Sequence, residues 1–268
     1  MKSKISAYPY LVWMAIFIIV PLITVIYFAF TDLDGSFTFN NIIELKTYLP
    51  RFVDSVFLAA IATLICLVLG YPVAYAISQA KPVKQTFLIM LIMLPMCMSF
   101  LLRTLAWSSL LEDNGIINNF INVFGLGRLK MINTPGAVVL GMVYNYIPYM
   151  ILPLHSVIMK IDNSVIEAAQ DLGANRLGIF GKVIIPLSTP GIISGITMVF
   201  VPAVSTFYIS DKLGGASTQM IGDIIEKQFK QSYNTNLGAA MSLVLMVIVF
   251  VCMGITTLFA DKNSEVII

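Results

Sequence analysis

Six long stretches with almost no charged residue dominate this chain: residues 5–31, 55–80, 85–102, 131–159, 183–210 and 231–260. A helix that crosses a bilayer needs about 20 consecutive, mainly apolar residues, and each stretch reads as one such span. The third is the shortest, but apolar residues resume after Arg103 and continue to Leu111. The first follows Lys2 and Lys4 as a secretory leader would. Its apolar part is too long for a leader and no small-residue cleavage site follows, so it reads as a retained helix. The expected fold class is an all-α integral membrane protein of about six transmembrane helices, forming one transmembrane domain over residues 1–268. Composition agrees: 11% of the residues are charged, against about 25% in a soluble globular chain, too few to coat a water-facing surface. A net charge of +2 argues against a nucleic-acid partner.

Basic residues orient the spans. With the N-terminus inside, the cytoplasmic segments hold eight Lys and Arg and the external loops seven. The inside segments are shorter and hence denser in positive charge, which sets both termini in the cytoplasm of a cell-membrane protein. Pro21, Pro72, Pro95, Pro148, Pro153, Pro190 and Pro202 fall inside the spans, so broken helices are expected, as in a transport pathway. Gly191, Ser194 and Gly195 are small enough for close helix packing. The segment IGDIIEKQF, residues 221–229, is expected as a short amphipathic helix at the membrane surface. Cys66, Cys97 and Cys252 are an odd number without CxxC spacing. They read as small buried hydrophobes, with no metal site or disulfide framework.

One polar connection differs from the rest. Residues 160–191 read KIDNSVIEAAQDLGANRLGIFGKVIIPLSTPG. Asp162 or Asn163 can cap a helix over residues 164–172, and Gly173 fits the left-handed position just past its end. Val165, Ile166, Ala169 and Leu172 follow helical spacing, a second short helix is expected over 175–182, and Pro186 precedes the next span. A helix–turn–helix this polar stays out of lipid and suits docking into a groove on a partner.

At these residues the chain resembles a family. Glu167-Ala168-Ala169, then Gly173, then Val183-Ile184-Ile185-Pro186, is similar to the EAA loop of ABC importer permeases. That pattern is EAA, three residues, Gly, nine residues, then Ile-x-Leu-Pro; Val183 and Ile185 replace Ile and Leu with the spacing intact. The resemblance covers nearly the whole chain: LVLGYPVAYAISQ (67–79), LEDNGIIN (111–118), IIPLSTPGIISG (184–195) and FYISDKLGGA (207–216) resemble the polyamine (spermidine/putrescine) branch. The LGYP element is shared with permeases for iron, sulfate and molybdate.

The resemblance implies a second, homologous permease subunit, two ATPase subunits beneath, and an external substrate-binding protein. It also implies that the loop over about 160–187 couples the permease to an ATPase, with Glu167 as the polar anchor, Ala168 and Ala169 beside it, Gly173 as the turn and Pro186 at the exit. The chain has no GxxxxGK[ST] phosphate loop, so ATP and Mg belong to the partner ATPase and this chain is expected to be non-catalytic with no cofactor of its own.

For a polyamine pathway, carboxylates would meet the ammonium groups and aromatic faces would offer cation–π contact. Asp211, Phe207 and Tyr208 close the fifth stretch and are the first candidates; Trp107, Tyr144, Tyr146 and Tyr149 are further aromatics, each with interfacial anchoring as the alternative. Arg103 is the one charge within an apolar stretch, about 28 Å along a continuous helix from Lys84, so it either lines the pathway or snorkels to the headgroups. His155, the single histidine, reads as packed. A self-sufficient secondary transporter or channel is disfavoured by the missing internal repeat. An intramembrane enzyme is disfavoured by the lack of a Ser/His, paired-Asp or metal constellation.

Overall fold

The computed structural model describes residues 8–264 apart from positions 33 and 126. Lys2, Lys4 and the start of the first apolar stretch lie outside the described residues, as does the side chain of Lys262. Helix α1 covers residues 8–29 with a π turn at Ala15–Ile19. A short helical lead-in, Asn40–Glu44 and Leu45–Tyr48, opens into α2, Leu49–Ser78. There follow α3, Pro82–Met93; α4, Phe100–Leu111; α5, Ile116–Val123; α6, Pro135–Ile158; α7, Asn163–Asp171; α8, Arg176–Leu187; α9, Thr189–Val204; α10, Ile221–Lys230; and α11, Thr235–Ser264. Among the described residues the one extended pairing is an isolated bridge between Thr31 and Phe37.

Helices α1, α2, α6 and α11 are long and apolar enough to cross a membrane. The other two apolar stretches are bent pairs, 85° at the break before α4 and 64° between α8 and α9. Counting each pair as one span gives six. The third stretch is therefore not one straight helix: Pro95 lacks an N–H, and Met98 and Ser99 adopt extended ψ values of 149° and 130° that turn the chain. In the fifth, the helix expected over 175–182 runs on to Leu187 with Pro186 inside it, and the chain bends at Ser188 ahead of Pro190. Only Pro95 and Pro190 stand at bends. Pro72, Pro148, Pro153 and Pro202 are held inside α2, α6 and α9; Pro148 is buried and Pro153 and Pro202 half-buried against neighbouring helices, whereas Pro72 stands on an exposed face of α2.

The core forms where α2, α6 and α9 meet, with Ala59, Ala62 and Cys66 of α2 against Met142, Met150 and Leu154 of α6 and Val199 and Ala203 of α9. Gly191 and Gly195 set the spacing as expected, whereas Ser194 is exposed. A Cβ on Gly195 would stand 2.6 Å from Met150 Sδ, and one on Gly191 3.0 Å from Val157 Cβ. At one end, Asn41 donates to the Ala29 and Thr31 carbonyls at 3.2 and 2.9 Å, and Asn236 also donates to Thr31. This buried network joins the end of α1 to the start of α11. Outward faces remain apolar, as Phe57, Leu64 and Val68 of α2 illustrate, which suits lipid and departs from a soluble surface. Of the cysteines, Cys66 is buried as expected, whereas Cys97 is exposed and Cys252 half-buried.

Residues 221–229 are helical as expected, and the first turn of α10 is packed into the protein. Ile221, Gly222, Asp223 and Ile224 are buried, α10 packs on α11, and the Ile221 N–H donates to Ser55 Oγ of α2 at 2.8 Å. The apolar face finds protein in place of lipid.

Candidate functional site

The polar connection forms a helix–turn–helix. Asp162 caps α7, its Oδ1 accepting the Ser164 N–H at 3.0 Å, and that bond holds the Asp162 carboxyl below its usual range. At the other end the Gly173 N–H reaches the Gln170 carbonyl at 2.8 Å and the Ala174 N–H reaches the Ala169 carbonyl at 3.0 Å, the paired bonds of a Schellman termination. Gly173 has φ +80°, the left-handed backbone the sequence called for. Asn175 caps α8 by accepting the Gly178 N–H at 2.7 Å. No residue of α7 is buried: Glu167 and Ala168 are exposed and Ala169 is half-buried. Leu172 and Leu177 are 89% and 82% exposed, two leucines presented together around the turn.

This exposed element is braced against the core. Phe180 of α8 packs edge-on to Tyr71 and Tyr75 of α2, with ring centroids 5.5 and 5.3 Å apart. The Tyr71 hydroxyl and the buried Ser188 Oγ are 2.6 Å apart at the α8–α9 bend. Residues Phe180–Ile184 form a π turn, a feature common where a helix must re-aim side chains. The tyrosine spacing, i and i+4 on one helix face, was visible in the sequence; their partner Phe180 was not. Pro186 is half-buried beside this brace.

Two of the candidate pathway residues, Tyr208 and Asp211, lie toward the opposite end of α6. Its 24 residues rise about 36 Å, from Asn133, whose N–H donates to the Leu213 carbonyl at 2.8 Å, to the α7 entrance. Residues Ser210–Gly214 form another π turn, packed against α4 and α6. Here the Lys212 ammonium meets Asp211 Oδ2 at 2.9 Å and lies 5.7 Å from the centre of the Tyr208 ring. Tyr208 in turn lies 6.2 Å from Phe100 of α4. Tyr146 donates to the Pro202 carbonyl at 3.3 Å. Arg103 does not snorkel: it is 9% exposed, its Nε and Nη1 have no hydrogen-bond partner, and its charge acts on Tyr146. The 85° break also removes the continuous rise from Lys84 on which the headgroup position depended.

The remaining candidates turn elsewhere. Trp107 and Tyr144, with ring centroids 5.4 Å apart, line an apolar groove of about 760 Å³ with Phe57, Ile61 and Val139. Phe207 borders another groove with Ser205, Ile225 and Leu245. Tyr149 is 39% exposed, and His155 is buried with Nε2 unpartnered.

Sequence reasoning missed Asp223. It lies in the first turn of α10, 2% exposed, with Oδ2 accepting the Met220 N–H at 2.9 Å and Oδ1 without a hydrogen bond. Burial pushes its carboxyl up to about 6, and the nearby Asp211 charge adds to the rise. Its offset from the cap position was a readable signal for a capping carboxylate, but the burial was not.

Comparison with known proteins bears on the family and the fold. Residues 5–264 match the family described as binding-protein-dependent transport system inner membrane component. The chain is 37% identical over 246 residues to the spermidine/putrescine transport system permease protein PotB of Haemophilus influenzae, covering 88% of this chain and 86% of that one. It is 36% identical over 265 residues to the protein of the same name from Escherichia coli, covering 95% of each. Its fold matches a chain in the crystal structure of a bacterial ABC transporter that imports alginate, with TM-score 0.82 at 16% identity over 97% of this chain and 94% of that one. The helical membrane architecture, the EAA-like loop and the match over nearly every residue lead to one assignment: the chain belongs to the inner-membrane permease components of binding-protein-dependent ABC importers.

Proposed function

We propose that this chain is one of two permease subunits of an ATP-driven polyamine importer, with spermidine and putrescine as substrates. The observation that carries the reading is the separation of two exposed polar regions along α6. At one end stands a capped helix–turn–helix with unpartnered leucines, and at the other a carboxylate beside an aromatic face. In this reading α7 and α8 dock in a groove of an ATPase subunit on the cytoplasmic side. Glu167, Ala168 and Ala169 contact it, Gly173 sets the turn, and Pro186 leads back into the membrane.

ATP and Mg are bound and used by the ATPase pair, while this chain carries no cofactor and acts as a single transmembrane domain. Movement of α8 passes through Phe180 to α2 and through Ser188 to α9, which changes access along the spans. Both termini lie in the cytoplasm, and residues 211–233 face the external binding protein that delivers substrate. A second homologous permease completes the pathway. Polyamine is favoured over iron, sulfate or molybdate by the names of the similar permeases and by the Asp211–Tyr208 pair, which suits an ammonium group. The buried Arg103 is a feature that suits an anion.

The test is uptake of labelled spermidine into proteoliposomes holding the two permeases, the ATPase pair and the binding protein. ATP-dependent uptake blocked by excess putrescine and untouched by sulfate supports the proposal. Uptake of sulfate or molybdate in place of spermidine refutes the substrate, and uptake without ATP refutes the class.

A further inference from the structure

Lys212 makes the two contacts that an ammonium substrate would make at this end of the molecule. Its Nζ lies 2.9 Å from Asp211 Oδ2 and 5.7 Å from the Tyr208 ring centroid, so one ammonium already holds both the carboxylate and the aromatic face. The π turn Ser210–Gly214 aims both side chains, and the bond from Asn133 N–H to the Leu213 carbonyl fixes that turn on the start of α6. The surroundings carry further negative charge. Asp223 is buried with Oδ1 unpartnered and feels the Asp211 charge, offset by the Ser210 hydroxyl and Lys227; Glu226 acts on Lys212 but is itself paired with Lys230 at 2.7 Å. A buried carboxylate oxygen without a donor is costly unless a cation comes close. The carboxylate that Lys212 touches is Asp211 alone, so a second ammonium reaches it only by replacing Lys212. Both partners of the Lys212–Asp211 pair are about 40% exposed, so the pair is weak and exchangeable.

We propose that Lys212 is a tethered ammonium occupying an ammonium subsite built by Asp211 and Tyr208, and that a substrate ammonium enters by displacing it. The inference rests on the polyamine reading above and goes one step further, since it names an internal competitor. Its physical role is to keep the subsite neutral when empty and to weaken retention, so that substrate leaves as readily as it enters. An exposed ion pair together with a cation–π contact accounts for roughly a three- to tenfold difference in occupancy. Arginine at this position would preserve the competition, whereas a neutral side chain of similar length would abolish it.

The experiment measures equilibrium binding of labelled spermidine to the purified permease–ATPase complex without binding protein, alongside ATP-dependent uptake by the same preparations. Lys212→Met and Lys212→Gln are expected to bind spermidine three- to tenfold more tightly, and Lys212→Arg as the unaltered complex does. Adding Asp211→Asn to Lys212→Met should erase the gain, because the lysine competes only for that carboxylate. Unchanged or weaker binding in both neutral variants, with wild-type uptake of spermidine intact, overturns the tethered-ammonium proposal and leaves the polyamine reading standing. A gain that survives Asp211→Asn also overturns it, because the effect is then general charge removal. Absence of spermidine uptake by the unaltered complex overturns the polyamine reading itself.

Discussion

Replacing Gly173 tests the helix–turn–helix through its backbone alone. The residue sits at φ +80°, and nothing lies within 4 Å of the Cβ that a substitution would add. A side chain there meets no clash within this chain, so any effect comes from the left-handed conformation. That conformation costs an ordinary L-residue about 1–2 kcal/mol, and each 1.4 kcal/mol is a factor of about ten in an equilibrium constant. If α7 and α8 must hold this turn to grip an ATPase, Gly173→Val should weaken the grip by roughly five- to thirtyfold. Gly173→Asn is the control, because asparagine tolerates the left-handed region, and it should stay within a few-fold of wild type. The assay is retention of the ATPase by tagged permease through purification, combined with ATP hydrolysis stimulated by the loaded binding protein. Both should fall for valine and persist for asparagine while the permease level in the membrane stays constant. Equal retention and hydrolysis in all three proteins would refute the claim that this turn positions a docking surface.

Three further outcomes follow from the geometry. Asp211→Asn removes a charge from a site about 40% exposed, and spermidine uptake should fall several-fold, with complex assembly and basal ATP hydrolysis unchanged. Gly195→Leu would drive a side chain into Met150, whose Sδ already stands 2.6 Å from the position of a Cβ; overpacking of this kind costs about 1–3 kcal/mol, read as a lower unfolding temperature in detergent. Asp223 has a folded pKa raised to about 6 from 3.8, so the folded state binds the proton more tightly than the unfolded one. Its contribution to stability is then greatest at low pH, declines as pH rises from about 4 to about 6, and stays flat above that. Asp223→Asn should flatten this slope in unfolding scans between pH 4 and 7; an unchanged slope would remove Asp223 as its source.

The apolar stretches were legible because lipid accepts so few alternatives to a helix, and the turn at Gly173 because one residue type suits its backbone. The caps at Asp162 and Asn175 follow equally local rules. What the sequence hid depends on which helices meet. Pro95 marks a break within residues 85–111, but its 85° size also needs neighbours to accept the exposed backbone. Of the two readings of Arg103, a headgroup anchor needs a straight helix from Lys84; with the 85° bend Arg103 is buried and its charge acts on Tyr146. Residues 221–229 have the alternation of a surface helix, yet their apolar face is claimed by α2 and α11. The EAA spacing located the helix–turn–helix, whereas its brace through Phe180, Tyr71 and Ser188 joins residues more than a hundred positions apart.

The most direct measurement of the central claim is disulfide cross-linking between α7–α8 and the ATPase in the assembled complex. Cysteines placed at Leu172 and at Leu177, both exposed around the turn, are paired with cysteines along the groove of the ATPase subunit, in a background with Cys66, Cys97 and Cys252 replaced. An oxidant-dependent permease–ATPase adduct is expected at both positions, with inhibition of spermidine uptake that reverses on reduction. No adduct from either position, in complexes that still transport spermidine, would show that this element is not where the permease meets its motor.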